Sequence, residues 1–183
     1  DRLYTRQYTL NWVNSVKQDE SWTLGGGADW QRDMLDDSSR SSGVAFPSDA
    51  DERDNTGLYA LAQFDNQVWQ AELSGRSDDN EQFGRHNTWQ TGAGWRFVED
   101  YRLSARYGTG FRAPSFNDLY YPGSGNPDLK PEESKSHELM LDGQTAGVEW
   151  RLTGYRNDFE QMIQWAPDSQ GMWTPQNVGK ARI

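Results

Sequence analysis

Trp22, Leu24, Gly26, Ala28 and Trp30 fall on one side of an extended chain, and Thr23, Gly25, Gly27, Asp29 and Gln31 on the other. A period of two is the signature of a β-strand whose faces meet different surroundings. The same alternation returns in Tyr8, Leu10 and Trp12, in Trp69, Ala71 and Leu73, and in Trp89, Thr91, Ala93, Trp95 and Phe97. Tyr101, Leu103, Ala105 and Tyr107 continue it, as do Leu139 and Leu141, then Val148, Trp150 and Leu152. It is imperfect at Leu58, Ala60, Ala62 and Phe64, because Tyr59 and Leu61 lie opposite, and Met140 also breaks the pattern. The alternation predicts an all-β chain with one apolar face.

The other face carries Arg102, Arg106, Glu149 and Arg151 in mid-strand. In a dry core each would need a partner or cost several kcal/mol. An apolar face wetted by lipid and a polar face wetted by water accommodate both sets of residues. An Arg on the lipid side would cost about 2–4 kcal/mol at the bilayer midplane, and the apolar rows are free of charge. Trp22 and Trp30 stand about 20 Å apart once strand tilt is allowed for, close to the height of an outer-membrane apolar band. Trp22, Trp30, Trp89 and Trp95 are therefore candidates for the aromatic rows at the two membrane interfaces.

The connections read alternately short and long. Turns at 17–21, 65–67, 99–100 and 144–147 alternate with polar stretches at 33–55, 77–86, 108–134 and 166–171. In an antiparallel meander this puts short turns at one end and long loops at the other. A transmembrane β-barrel has that asymmetry, with short periplasmic turns and long extracellular loops. The competing fold is a soluble all-β module that binds carbohydrate through exposed Trp and Tyr, with Trp22, Trp30, Trp89 and Trp95 partly buried between two sheets.

Composition narrows the classes. Only 34% of the 183 residues are hydrophobic, yet there are nine Trp and eight Tyr. That is too aromatic for a disordered chain. The net charge of −10 argues against nucleic acid as a partner, since phosphate neutralisation needs clustered Lys and Arg. There is no cysteine for a disulfide or a thiol. The longest apolar run, 58–62, is far short of the ~20 residues of a transmembrane helix, and no signal peptide is visible.

The stretch 108–134 organises the chain. Its four prolines and its glycines exclude a central strand and a helix interior, so it reads as a long shaped loop carrying Phe116, Tyr120 and Tyr121. It contains Gly110-Phe111-Arg112-Ala113-Pro114-Ser115, then Leu119-Tyr120, then Gly125-Asn126-Pro127-Asp128-Leu129-Lys130-Pro131-Glu132, followed by Ser134, Ser136 and Glu138. In that order these residues resemble the barrel domain of TonB-dependent outer-membrane receptors. The segments 76–80, 82–86, 88–91, 154–158 and 179–183 are similar to the cobalamin-transporting branch of that family.

The resemblance implies a bacterial outer-membrane location and TonB-energised uptake of a scarce ligand, a corrinoid, with no enzymatic activity. Receptors of this type close about 22 strands around a plugged lumen. Here about eight strands and part of a ninth are visible, so residues 1–183 are expected to be a partial barrel without the plug domain. TonB would then act only through that absent plug. The chain also runs from Arg6-Gln7 directly into Tyr8, where the family has a further hairpin and a long loop.

Ligand contacts are expected from Gly43, Val44 and Phe46 and from Tyr120 and Tyr121, with simple loop packing as the alternative for all five. No cofactor is expected. The acidic stretch 33–55 makes Asp49, Asp51 and Asp54 calcium candidates, although it lacks EF-hand order; solvated loop charge is the alternative. Gly108-x-Gly110-x-x-Ala113 matches a dinucleotide fingerprint only formally, because Pro114 follows and no helix is expected after it. His86 and His137 are too far apart in sequence for a zinc motif, and no Gly-x-Ser-x-Gly elbow occurs.

Overall fold

The computed structural model describes residues 2–39, 52–121 and 123–183. Among the described residues nine strands follow one another: β1 (Arg2–Lys17), β2 (Trp22–Ser39), β3 (Glu52–Asp65), β4 (Trp69–Asn80), β5 (Gly84–Val98), β6 (Tyr101–Arg112), β7 (Glu132–Thr145), β8 (Val148–Pro167) and β9 (Trp173–Arg182). They form one sheet in sequence order, and every neighbouring pair is antiparallel. A meander follows when each strand turns back on its predecessor through its own connection. A soluble sandwich would have covered the four Trp with a second sheet. No second sheet exists among the described residues, and Trp22, Trp89 and Trp95 are 43–46% exposed. The sandwich is set aside on this ground.

Register keeps the two faces apart. On the apolar side Leu10 is paired with Trp30, Trp12 with Ala28 and Val16 with Leu24. Trp22 then meets Phe64, and Ala28 meets Leu58. Leu103 meets Trp95 and Leu141. Tyr59 and Leu61 lie across from Gly27 and Gly25 on the polar face, which explains their break in the pattern. Met140 is likewise on the polar face, opposite Ser104. No charged residue stands on the apolar side between Trp22 and Trp30, Trp69 and Gly75, or Trp89 and Phe97.

One end carries only tight turns. The residues between β1 and β2, β3 and β4, β5 and β6, and β7 and β8 are 18–21, 66–68, 99–100 and 146–147. Asp19 Oδ1 accepts the N–H groups of Ser21 and Trp22, both at 2.8 Å, and Asn66 Oδ1 accepts that of Trp69 at 2.7 Å. Ala146 (φ 53°) and Gly147 (φ 80°) form a turn with two left-handed residues, matching the twist of the flanking strands.

The opposite end departs from expectation in three places. The polar stretch 77–86 is not a loop: β4 and β5 run through it and leave only 81–83 as the turn. Asn80 Oδ1 closes that turn by accepting the N–H groups of Gln82 (3.1 Å) and Phe83 (3.0 Å). The stretch 33–55 is also shorter, because β2 continues to Ser39 and β3 begins at Glu52. The added residues of β4 and β5 are polar on both faces, and in β2 the adjacent Met34 and Leu35 fall on opposite faces, so neither segment alternates, yet their backbones continue the ladder. Third, the loop 113–131 contains a helix, α1 (Phe116–Tyr120). It starts beyond Pro114 through a capping box: Asp118 N–H donates to Ser115 Oγ (3.2 Å) and Ser115 N–H to Asp118 Oδ2 (3.0 Å).

Candidate functional site

Most of the apolar side chains sealed from solvent among the described residues belong to the loop 113–131 or, like Pro175, accept a bond from it. Phe116, Leu119 and Leu129 are buried, together with Pro114, with Pro175 from β9 and with Leu35 from β2. The loop folds onto the polar face at the long-loop end. Arg53 and Asn177, which it contacts, belong to that face by strand alternation.

The residues of the family motif act as joints of this docking. Asn126 Nδ2 donates to Pro175 O (2.9 Å), and its Oδ1 accepts from Asp128 N (3.0 Å). Lys130 N–H donates to Asn177 Oδ1, and Asn177 Nδ2 returns a bond to Lys130 O, both 2.8 Å. Glu132 pairs with Arg112 and accepts the N–H of Ile163 at 2.6 Å. Gly110 lies where a Cβ would come 2.6 Å from Ser134 Oγ. Phe111 stacks on His86 with ring centroids 3.7 Å apart. Ala113 and Pro114 carry the chain over the polar face, Pro127 and Pro131 bracket the buried Leu129, and Gly125 N–H closes back on Tyr121 O at 2.7 Å.

Tyr120 and Tyr121 are half-buried on this loop. The Tyr120 hydroxyl accepts a bond from Gln82 Nε2 (3.0 Å), and its ring lies 6.0 Å from Phe116. Tyr121 meets Trp165 edge-on at 5.7 Å. Both therefore take part in loop packing while standing at the mouth. Gly43, Val44 and Phe46, like Asp49 and Asp51, lie outside the described residues. Asp54 is a strand residue, not a loop residue as expected, and both its carboxylate oxygens accept from Arg32, at 2.7 and 2.6 Å. A helix, α1, does follow Gly108–Ala113, contrary to expectation, but it is one turn long and its Asp118 N–H is already bonded to Ser115 Oγ.

Below the loop the polar face is lined by ion pairs. Arg76 bridges Asp29 and Asp78, each at 2.6 Å. Asp142 is shared between Arg102 and Arg151, and Arg106 stands 3.5 Å from Glu72. In the sheet alone the carboxylates are the more covered partners, while Arg106 and Arg151 stay exposed. They present paired charge to whatever fills the space in front of them.

The apolar face is ruled by two aromatic rows. At the tight-turn end Trp22 packs on Phe64 (5.1 Å), Trp69 on Trp95 (5.4 Å), Trp95 on Phe97 (5.6 Å), Phe97 on Tyr101 (6.2 Å) and Tyr101 on Trp150 (5.9 Å). Toward the other end Trp89, Tyr107 and His137 form a second row, at 4.9 and 4.8 Å. Trp30 lies on the same face of β2, with the Arg32 guanidinium 5.4 Å from its ring. Trp22, Trp30, Trp89 and Trp95 were the expected interface residues; the continuity of the lower row through Phe64, Trp69, Phe97, Tyr101 and Trp150 depends on register.

A single sheet, an apolar outer face with aromatic rows, a charged inner face and an inward-folded loop describe a sector of a membrane barrel wall. The sequence matches the family described as TonB dependent receptor-like, beta-barrel, over residues 1–183. The chain belongs to that family. It is 41% identical, over all of its length, to the vitamin B12 transporter BtuB of Photobacterium profundum, and spans 30% of that relative. Among solved structures it superposes on the siderophore receptor PirA from Pseudomonas aeruginosa with a TM-score of 0.81 at 21% identity, covering 97% of this chain and 35% of PirA. The copper transporter OprC gives 0.76 at 15% identity, with 97% and 33% covered. At such identities these two establish the fold alone. The family places the chain in the bacterial outer membrane, with its tight turns periplasmic and its long loops extracellular.

Proposed function

We propose that this chain is a wall sector of an outer-membrane receptor that captures a corrinoid such as cobalamin at its extracellular mouth for TonB-energised uptake. Identity of 41% to a vitamin B12 transporter, sustained across the whole length of the chain, carries this reading. The charged polar face supports it as the wall of a water-filled, pluggable lumen. Tyr120 and Tyr121 offer rigid aromatic area on the docked loop, and Gly43, Val44 and Phe46 would join them from the β2–β3 connection. TonB would act through a plug domain inside the same barrel, and the outer face would be held by the lipid bilayer. Turnover of the ligand is not part of the reading; the matched family is described as receptor-like.

The test is cyanocobalamin binding to the intact receptor carrying this chain, folded in detergent micelles. A ferric siderophore serves as the counter-ligand. Saturable cyanocobalamin binding with no siderophore binding supports the corrinoid reading; the reverse replaces the ligand and leaves the receptor fold intact.

A further inference from the structure

Arg53 is a cation held almost out of solvent, 7% exposed, in a position that links four segments. From β3 its Nη1 donates to the Pro114 carbonyl at 2.9 Å and reaches Gln82 Oε1 at 3.4 Å. Its Nη2 meets Asp33 Oδ2 of β2 at 3.2 Å. Its guanidinium carbon stands 5.1 Å from the Phe116 ring centroid and 5.6 Å from that of Phe83. The planar head is thus shared between β2, the β4–β5 turn and the inward loop. Among the described residues its Nε makes no hydrogen bond.

That arrangement is costly as a stability device. Burying a guanidinium with one weak ion pair and an unused donor returns little against desolvation. What it secures is geometry: Pro114 is the residue before the α1 cap, and Phe116 is the first residue of α1. Four residues further on, Tyr120 is tied to Gln82, whose side chain also touches Arg53.

We propose that Arg53 is a positioning residue, the latch that fixes the 113–131 loop across the lumen mouth and so sets the pose of Tyr120 and Tyr121 toward the ligand. The ligand half of this rests on the corrinoid reading. The latch half does not. The loop and the β4–β5 turn move as one body while the latch is closed, and separate when it is removed.

The experiment uses the intact receptor in micelles with Arg53→Met, Arg53→Lys and Phe116→Leu, each checked for a heat-modifiable folded band. Hydrogen exchange is followed at Leu119, Tyr121, Gly125 and Asn126, whose N–H groups bond within the loop. In Arg53→Met these amides exchange faster by on the order of tenfold or more, while ladder amides of β5–β8 are unchanged. Cyanocobalamin affinity falls by about the same factor. Arg53→Lys recovers part of both, because an ammonium can still donate to Pro114 but cannot stack as a plane. Should Arg53→Met give no folded band, Phe116→Leu carries the test, since it keeps an apolar side chain and removes the ring face.

Unchanged loop exchange in the folded variants overturns the latch. Faster loop exchange with unaltered cyanocobalamin affinity overturns the positioning role. If the unsubstituted receptor binds no cyanocobalamin, the corrinoid reading fails by itself, and the exchange data still decide the latch.

Discussion

Trp69 and Trp95 lie directly across from one another on β4 and β5, their rings 5.4 Å apart and 8° from parallel. The pair sits in the lower aromatic row, where indole rings suit the boundary between acyl chains and head groups. An offset stack adds about 0.5–1.5 kcal/mol beyond the area it covers. A double-mutant cycle with Trp69→Ala and Trp95→Ala, read by urea unfolding of the receptor in vesicles, should return a coupling in that range. A coupling near zero would mean that the rings are neighbours only by register.

The shared carboxylate of Asp142 gives a prediction about the polar face. It holds Arg102 at 2.9 Å and also Arg151, while Arg102 Nη1 has a second acceptor in Gln70 Oε1 at 3.0 Å. If the face is wet, Asp142→Asn costs no more than about 1 kcal/mol, and the loss shrinks in high salt. In a dry interior the same change would cost about 3–5 kcal/mol, because two cations would be left uncompensated. The alternation read from the sequence predicts the smaller, salt-sensitive figure. Denaturation at low and high ionic strength measures it.

What the sequence made legible follows from where solvent contrast exists. Between Trp22 and Trp30, or Trp89 and Phe97, one face meets lipid and the other water, so the residues must alternate and the strands can be read. Above the membrane that contrast vanishes. Arg76, Ser77, Asp78 and Asp79 are polar on both faces, and only their pairing with Tyr59, Leu58, Gly57 and Thr56 reveals a strand. The helix α1 was hidden for a different reason. Pro114 and the surrounding glycines announced a loop, and the cap used Asp118 where Glu or Gln is the usual partner. Arg53 carried no local signal at all: it sits in a run of charged residues, and its role appears only when Pro114, distant in sequence, arrives beside it.

Gly125 is required by close approach. A Cβ there would stand 2.5 Å from Leu119 O and 2.6 Å from Tyr121 N, both backbone atoms that cannot swing aside. Gly125→Ala should therefore undo the turn that returns the loop toward Asn126, at a cost of about 1–3 kcal/mol to loop docking. Exchange of the Gly125 and Asn126 amides should rise, while heat-modifiable migration of the barrel stays as it was. Loss of the folded band would show that the loop is needed to build the wall, contrary to this expectation.

The docked loop should also respond to acid through Glu132. This residue lies at the extracellular end of β7, above the His137 level where the apolar rows begin. The hydrogen bond from Arg112 holds its carboxyl below the usual range; partial burial opposes this, and the Ile163 N–H adds to it. A carboxylate with a depressed folded-state pKa contributes stability above its ordinary value of about 4.3 and loses it as pH falls toward the lower folded value. The Glu132–Ile163 and Glu132–Arg112 contacts should thus be fully present at neutral pH and weaken below about pH 4. Exchange of the Ile163 amide, followed from neutral to acidic pH after correction for intrinsic rates, should show the loss. Glu132→Gln should flatten that dependence, because the amide can accept from Ile163 at every pH but cannot form the ion pair. A Glu132→Gln protein that keeps the full acid response would place the responsible carboxylate elsewhere on the mouth.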